Sequence, residues 1–247
     1  MIESHSTYVS RWRPSSPEVK HHYCAWLAGA IVVLVFVGFA RTYYLHSLFG
    51  MPALTRFLHV HGAVMTGWIV LFAAQTFLIT SNRIPIHRIL GAFGAGYAVL
   101  VVLMGTTATL VAARREVRAH SESVSSVLTV LALELTQMAL FASLIALGVW
   151  LRNRTGYHKR VMLLATFCIL PNPIVRLFIW ARLGSNISIL SFWASLVTAV
   201  VLVDSIRNRR VHPAFGLGAT IIVVFLYLAY FGSRTPLWQH FAANMVG

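Results

Sequence analysis

Seven apolar runs alternate with short polar segments along this chain, and each run is long enough to cross a lipid bilayer. The runs cover residues 24–45, 59–80, 88–112, 125–151, 158–182, 187–206 and 213–232. A helix needs roughly 20 residues to span a hydrocarbon core, and backbone groups in lipid must find partners within their own segment. The pattern therefore predicts an all-α, polytopic bundle of seven transmembrane helices whose sequence neighbours are antiparallel.

Composition agrees with this pattern and leaves no room for a sizeable soluble domain. Hydrophobic residues make up 58% of the chain and charged residues only 11%, whereas a soluble domain of this length carries about a quarter charged residues. The predicted organisation is a cytoplasmic N-terminal segment (1–23), a transmembrane domain (24–232) and an outer C-terminal tail (233–247). The polar N-terminus has no apolar core, so it does not resemble a cleavable signal peptide.

The strong positive charge is assigned to the lipid bilayer rather than to nucleic acid. The net charge is +14, but the arginines lie in loops between apolar runs, where they contact anionic headgroups. With the N-terminus inside, the 20 Lys and Arg residues divide about 12 to 8 in favour of the inner side. This predicts an inner N-terminus and an outer C-terminus.

Motifs that mark several kinds of catalytic chemistry are absent from the sequence. It contains no HExxH, GxSxG, Gly-rich phosphate loop or CxxC motif, so no constellation for covalent catalysis is visible. The seventh run has no lysine, which excludes a retinal Schiff base there. Whether the protein is an enzyme is left open.

Two charged residues lie deep inside apolar runs, where ionisable groups are costly and are functional candidates. Glu134 lies in the fourth run and Arg176 in the fifth, both in the predicted outer half; Gln137 shares a helix face with Glu134, and Asn172 shares one with Arg176. We expect the two charges to be in contact, directly or through Gln137, Asn172 or a water. The pair either locks two helices together or belongs to a ligand site.

The segment PNP at 171–173 predicts a break in the fifth helix, because two prolines remove backbone donors and clash with the preceding turn. Broken helices occur at membrane depth where they line a cavity, so a pocket around Asn172 and Arg176 is predicted, with a plain kink as the alternative. In the second run, His61, Trp68 and Gln75 recur every seven residues and should face the bundle interior beside this pocket.

Histidines and one aspartate mark the inner side. His87 and His158 begin the third and fifth runs, so they could together hold haem b or a metal ion, or serve as interfacial anchors. His61 should lie at the opposite end. Asp204 lies among Arg207, Arg209 and Arg210, with Arg160 in reach, and is interpreted as one half of a structural ion pair.

The motifs over about residues 55–240 resemble a family of uncharacterised bacterial multi-pass membrane proteins. They run in order as HVHGAVMTGWIVLFAAQTFLI, IHRILGAFG, GYHKRVMLLATFCILPNPIVRL, VHPAFG and TPLW. The resemblance implies the cytoplasmic (inner) membrane of a bacterium, and it brings no activity, cofactor or partner. The matching positions are His61, Trp68, Gln75, His87, Arg88, His158, Arg160, Arg176, Asp204 and His212.

Three functions remain open at this point. The first is transport or sensing of a small polar or anionic molecule, bound by His61, Trp68, Gln75, Glu134, Gln137, Asn172 and Arg176. The second is a membrane redox protein with haem b or a metal ion at His87 and His158. The third is a structural or accessory subunit that contacts other membrane subunits.

Overall fold

A computed structural model describes residues 17–120 and 122–247, and within them the chain forms nine α-helices and one π-helical turn. Their bounds are α1 Pro17–Phe39, the π turn Ala40–Tyr44, α2 Arg56–Thr80, α3 Ile84–Ala119, α4 Val124–Trp150, α5 Thr155–Cys168, α6 Pro171–Trp180, α7 Asn186–Asn208, α8 Pro213–Gly232 and α9 Pro236–Val246.

The prediction of an all-α bundle with seven transmembrane helices is confirmed. Seven helical segments in the described part of the chain are long and apolar enough to cross a membrane. The first combines α1 with the π turn and the fifth combines α5 with α6, whereas α2, α3, α4, α7 and α8 each supply one span. The chain is a multi-pass membrane helix bundle.

Helical structure continues beyond both ends of the predicted transmembrane domain, at 24 and at 232. Residues 1–16 of the predicted N-terminal segment lie outside the described residues, and α1 begins at Pro17 rather than at 24. The tail forms α9, which packs against α3 and α4. The Trp238 indole N–H donates to the Leu128 carbonyl at 2.9 Å, and the Arg114 guanidinium donates to the Met245 carbonyl at 3.0 Å.

The centre of the bundle is the hairpin of α4 with the broken α5–α6 span. These two spans bury the largest share of their apolar residues. The α2–α3 hairpin packs on one side of α4, α8 packs against α4 and α5, and α1 closes the bundle between α2 and α6. Phe141 of α4 and Trp193 of α7 are fully buried in this core.

The predicted break in the fifth span is confirmed, and its backbone is compensated. Helix α5 ends at Cys168 and α6 begins at Pro171. In a continuous helix the Phe167 carbonyl would accept from residue 171, but proline has no N–H. The buried Trp193 indole instead donates to this carbonyl at 2.9 Å, so a neighbouring helix replaces the lost backbone donor.

Gly38 brings α1 close to this break. A Cβ atom added to Gly38 would lie 2.6 Å from Pro173 Cβ and 2.8 Å from its Cα. Only glycine allows two backbones to approach this closely. The contact places the end of α1 and the π turn beside the first turn of α6, which carries Arg176.

Candidate functional site

Arg176 lies at the centre of a polar cluster in the half of the bundle where α1 ends and α2 begins. Its guanidinium carbon lies 4.7 Å from the centroid of the Phe39 ring, a cation–π arrangement. Its Nε is buried and has no hydrogen-bond partner in the described part of the chain. Thr42, in the π turn that follows Phe39, also has a buried hydroxyl without a partner.

Helix α2 adds His61 and Trp68, two of the residues that were predicted for the site. The His61 ring lies within electrostatic range of Arg176 and approaches the backbone carbonyl of Met104, while its Nδ1 is buried without a partner. Seven residues on, Trp68 is 3% exposed and packs edge-on against Phe141 at a centroid separation of 4.9 Å. Its indole N–H is likewise unpartnered.

Helix α4 supplies acceptor oxygens. Thr109 of α3 donates a hydrogen bond to Glu134 Oε2 at 2.8 Å. Gln137, three residues further on the same face and only 3% exposed, has an Oε1 with no partner among the described residues. The helix therefore presents a carboxylate and an amide oxygen to the interior.

The expected contact between Glu134 and Arg176 is not formed as an ion pair. The carboxylate and guanidinium are within electrostatic range, but among the described residues the only pairs within 4.0 Å are Arg115–Glu116 and Arg160–Asp204. Gln137 and Asn172 do not bridge them, because neither side chain makes a hydrogen bond to any described residue. A direct ion pair was one form of the predicted contact, and it is not formed, because proximity along two helices does not fix side-chain direction. Contact through a water stays a prediction.

Both charged groups are densely surrounded by protein yet retain accessible surface. Many neighbouring atoms desolvate Glu134 and Arg176, whereas each residue as a whole is only partly buried. A side chain on the lipid-facing surface would be accessible but not densely surrounded. Both groups therefore lie within the packed bundle.

Gln75 does not belong to this cluster, which corrects the prediction that it shares a pocket with His61 and Trp68. It lies about 20 Å further along α2, and its amide oxygen and nitrogen can each face His87. With the nitrogen toward His87, it donates to Nδ1 at 2.6 Å and to the His87 carbonyl at 3.2 Å, and the oxygen accepts from the Gly91 N–H at 2.8 Å. This orientation matches donors with acceptors at both amide atoms.

His87 and His158 meet at that opposite end, as predicted. Their ring centroids are 6.4 Å apart with an interplanar angle of 75°, and His158 Nδ1 lies 2.8 Å from the Gly148 carbonyl. Both rings are therefore oriented through Nδ1, which leaves Nε2 of each as the free nitrogen. No group of three or more His, Cys, Asp or Glu side chains in the described residues could hold a metal ion.

Asp204 forms the predicted structural ion pair, and its partner is Arg160. The guanidinium Nε and one terminal nitrogen each donate to a carboxylate oxygen at 2.9 Å, and the other terminal nitrogen donates to the Gly156 carbonyl at 2.9 Å. Both side chains are less than a tenth exposed. This pair ties α5 to α7.

His212 caps α8 just beyond the ion pair. Its Nδ1 accepts a hydrogen bond from the Ala214 N–H at 3.2 Å, and its ring packs edge-on against Tyr157 at 4.6 Å. Burial, followed by the positive charge of Arg160, lowers the pKa of His212 below its usual value of 6.5. The neutral ring is the form that can cap the helix.

Thr42, Phe39 and Thr109 are the cluster residues that sequence reasoning missed. Each is common in an apolar helix, and none carries a charge or a periodic signal. The approach of α1 to α6 brings Phe39 to Arg176, and the approach of α3 to α4 brings Thr109 to Glu134. Thr42 follows Phe39 in the π turn. No protein-family model, curated protein or solved structure matches this chain.

Proposed function

We propose that this membrane protein binds a small polar or anionic molecule at the cluster around Arg176, for transport or for sensing. The observation that carries the proposal is a set of unpartnered buried polar atoms. In the described residues, the five such side-chain atoms belong to Thr42, His61, Trp68, Gln137 and Arg176. Thr42, His61 and Arg176 lie toward the end of the bundle where α2 begins, and Trp68 and Gln137 lie near the middle of α2 and α4.

Physical cost supports a functional rather than a structural role for these atoms. A buried donor or acceptor without a partner costs about 1–3 kcal/mol, and more when it is charged. A bundle selected only for stability would pair such groups or replace them with apolar side chains. The same chain pairs Arg160 and Asp204 completely, so incomplete pairing around Arg176 is not a general property of its packing.

The proposed membrane context follows the charge distribution. We infer a multi-pass protein of the bacterial inner membrane with an inner N-terminus and an outer C-terminus, so the Arg176 cluster opens toward the outer side. The resemblance to bacterial multi-pass membrane proteins supports the compartment, and the 12 to 8 division of Lys and Arg supports the orientation. A reporter that is active only in the cytoplasm, fused after Gly247, tests the orientation and should stay inactive.

Ligand binding can be tested by thermal unfolding of the purified protein against a library of small carboxylates, phosphates and amino acids. A ligand of the folded state raises the unfolding temperature by mass action. We expect Arg176→Gln, Trp68→Phe and Gln137→Leu to remove the shift. The matched control Arg56→Gln changes an exposed arginine and should keep it. A response that is equal in all four variants would contradict the proposal.

The histidine pair supports a second candidate, a haem or transition-metal site. An ion held between two imidazole nitrogens at about 2.0–2.1 Å each needs these nitrogens about 4 Å apart. Rings whose centroids are 6.4 Å apart can meet this separation. His158 is also oriented as metal-ligating histidines are, with its Nδ1 on a backbone carbonyl.

Metal ligation at His87 Nε2 would require the Gln75 amide to turn, so that its oxygen accepts from Nδ1–H at 2.6 Å.

An absorption spectrum with metal analysis tests this candidate. Haem should give a Soret band, and either haem or metal should be lost in His87→Gln and His158→Gln but retained in His240→Gln, which changes an exposed histidine. Protein that lacks both haem and metal after expression with iron and copper supplements would rule this candidate out.

A further inference from the structure

We propose that the ligand of the Arg176 cluster is a small zwitterion, with an anionic group that binds near Arg176 and a cationic hydrogen-bond donor that binds near Glu134. This inference rests on the proposed ligand site and specifies its substrate class. It follows from the charge balance of the cluster, from the separation of its donors and acceptors, and from the gap between its two charges.

The charge balance is the first argument. In their ordinary ionised forms, Arg176 and Glu134 contribute one charge of each sign to a site inside the membrane domain. In a medium of low dielectric constant, a net buried charge is far more costly than a balanced pair of charges. A bare anion or a bare cation would leave the occupied site with a net charge, whereas a zwitterion leaves it neutral.

The placement of hydrogen-bonding groups gives the ligand a direction. On the side of α1 and α6, the unpartnered groups include the Arg176 Nε–H and the Thr42 hydroxyl, both of which can donate to an anion. On the side of α4, they are acceptors, namely the Gln137 Oε1 and the Glu134 carboxylate. Within the described part of the chain, this carboxylate accepts one hydrogen bond, from Thr109. An ionised carboxylate has about four lone-pair sites, so Glu134 retains capacity for an ammonium group.

The separation of the two charges is the third argument. Opposite charges at this depth attract each other strongly, and the Arg160–Asp204 pair of the same chain closes to 2.8 Å. Glu134 and Arg176 interact electrostatically but do not come within 4.0 Å of each other. Phe39 instead supports the guanidinium through its ring. A molecule with two opposite charges can satisfy both residues across this gap.

The test uses charge-matched probes on the full-length protein in detergent or in phosphatidylcholine nanodiscs. The probes are glycine and γ-aminobutyrate, which differ in the spacing of their charges, together with acetate and methylammonium, which each carry one half of a zwitterion. Binding is measured by the unfolding temperature and by calorimetry. We expect the unmodified protein to bind at least one amino acid about tenfold or more tightly than either half, as charged hydrogen bonds at each end require.

Two charge variants should each lose the preference for the amino acid and favour one of the two half-molecules instead. Glu134→Gln leaves a positive site, so it should lose the amino acid preference and bind acetate about tenfold or more tightly than methylammonium. Arg176→Gln leaves a negative site and should favour methylammonium in the same way. Arg176→Lys keeps the charge and should keep the amino acid preference, which separates a charge effect from a folding defect. Glu122→Gln and Arg56→Gln change exposed residues and should behave like the unmodified protein.

Different results would overturn different parts of the inference. One outcome is that the unmodified protein binds acetate best, and binds it more tightly as the pH falls. In that case the site exists but takes up an anion together with a proton, and the inference of a zwitterionic ligand is wrong. If methylammonium binds best, the site takes a cation and the zwitterion is again wrong. If no probe binds to the unmodified protein or to either charge variant, both the zwitterion and the proposed function of the cluster fail.

Discussion

Arg160 and Asp204 meet through two parallel hydrogen bonds, whereas Glu134 and Arg176 lie in the same membrane domain without closing on each other. In the first pair, the remaining guanidinium nitrogen binds a backbone carbonyl, and the Asn208 amide adds a bond to the Asp204 carbonyl. In the second, a threonine donates to the carboxylate, and among the described residues the arginine is supported by an aromatic ring rather than by a hydrogen bond.

This difference separates a structural role from a binding role by the completeness of pairing. A buried charge is tolerated when the neighbouring residues satisfy it, and then it holds helices together. A buried charge that the protein leaves partly unsatisfied retains capacity to bind something else. Charge and depth alone do not distinguish the two pairs, since all four residues look equally costly in the sequence.

The largest expected effect concerns the inner pair. Asp204→Ala would leave the Arg160 guanidinium buried without its carboxylate and should lower the free energy of unfolding by about 3–5 kcal/mol. The measurement is unfolding by heat or denaturant in detergent, with Glu122→Ala as the exposed control.

The double variant Arg160→Met with Asp204→Leu removes both charges and should recover most of the lost stability, because an apolar pair of similar volume is close to neutral. A double variant as unstable as Asp204→Ala would mean that the hydrogen bonds to Gly156 and the packing on Phe215 matter more than the charges.

A smaller effect is expected at the helix break that positions Arg176. Trp193→Phe keeps the aromatic packing but removes the donor to the Phe167 carbonyl. The carbonyl keeps the Leu170 N–H at 3.2 Å, so the variant loses one of two hydrogen bonds, and a single hydrogen bond contributes about 0.5–1.5 kcal/mol. The free energy of unfolding should fall by this amount, while Trp180→Phe, which changes a tryptophan that is 40% exposed, should have little effect. An unchanged Trp193→Phe variant would show that the Leu170 N–H alone satisfies the carbonyl.

A change smaller than at the inner pair is expected at the outer pair. Glu134→Gln and Arg176→Met break no direct ion pair, and the charge that remains in each variant belongs to a residue that is only partly buried, so each should lower the free energy of unfolding by clearly less than the roughly 3–5 kcal/mol of the inner pair. Ligand binding should nevertheless be lost in Arg176→Met. A loss of 3–5 kcal/mol on Arg176→Met would instead identify a structural lock equivalent to the inner pair.

Sequence reasoning succeeded where the signal was carried by one segment and failed where it depended on pairing between segments. The seven spans, the PNP break and the approach of His87 to His158 follow from run lengths, prolines and the alternation of helix direction. The partners of Glu134 and Arg176 could not be predicted, because they depend on side-chain directions and on the Gly38 contact that draws α1 toward Pro173. Gln75 was misplaced because a shared helix face extends over both halves of the membrane.

The smallest expected effect is a pH dependence at His212, which lies next to the inner pair. Its folded-state pKa lies below the unfolded value, because burial and then Arg160 disfavour the charged ring. The unfolded state therefore binds more protons, so the contribution of His212 to stability is complete above about pH 6.5 and is lost as the pH falls through the lowered folded-state pKa. Protonation of Nδ1 also removes the acceptor for the Ala214 N–H.

In His212→Asn, the amide oxygen can still cap α8 but does not titrate. We expect unfolding temperatures measured between pH 7.5 and 5 to fall less in His212→Asn than in the unmodified protein, while His240→Asn keeps the original dependence. Equal slopes in all three proteins would show that the acid sensitivity arises elsewhere in the bundle.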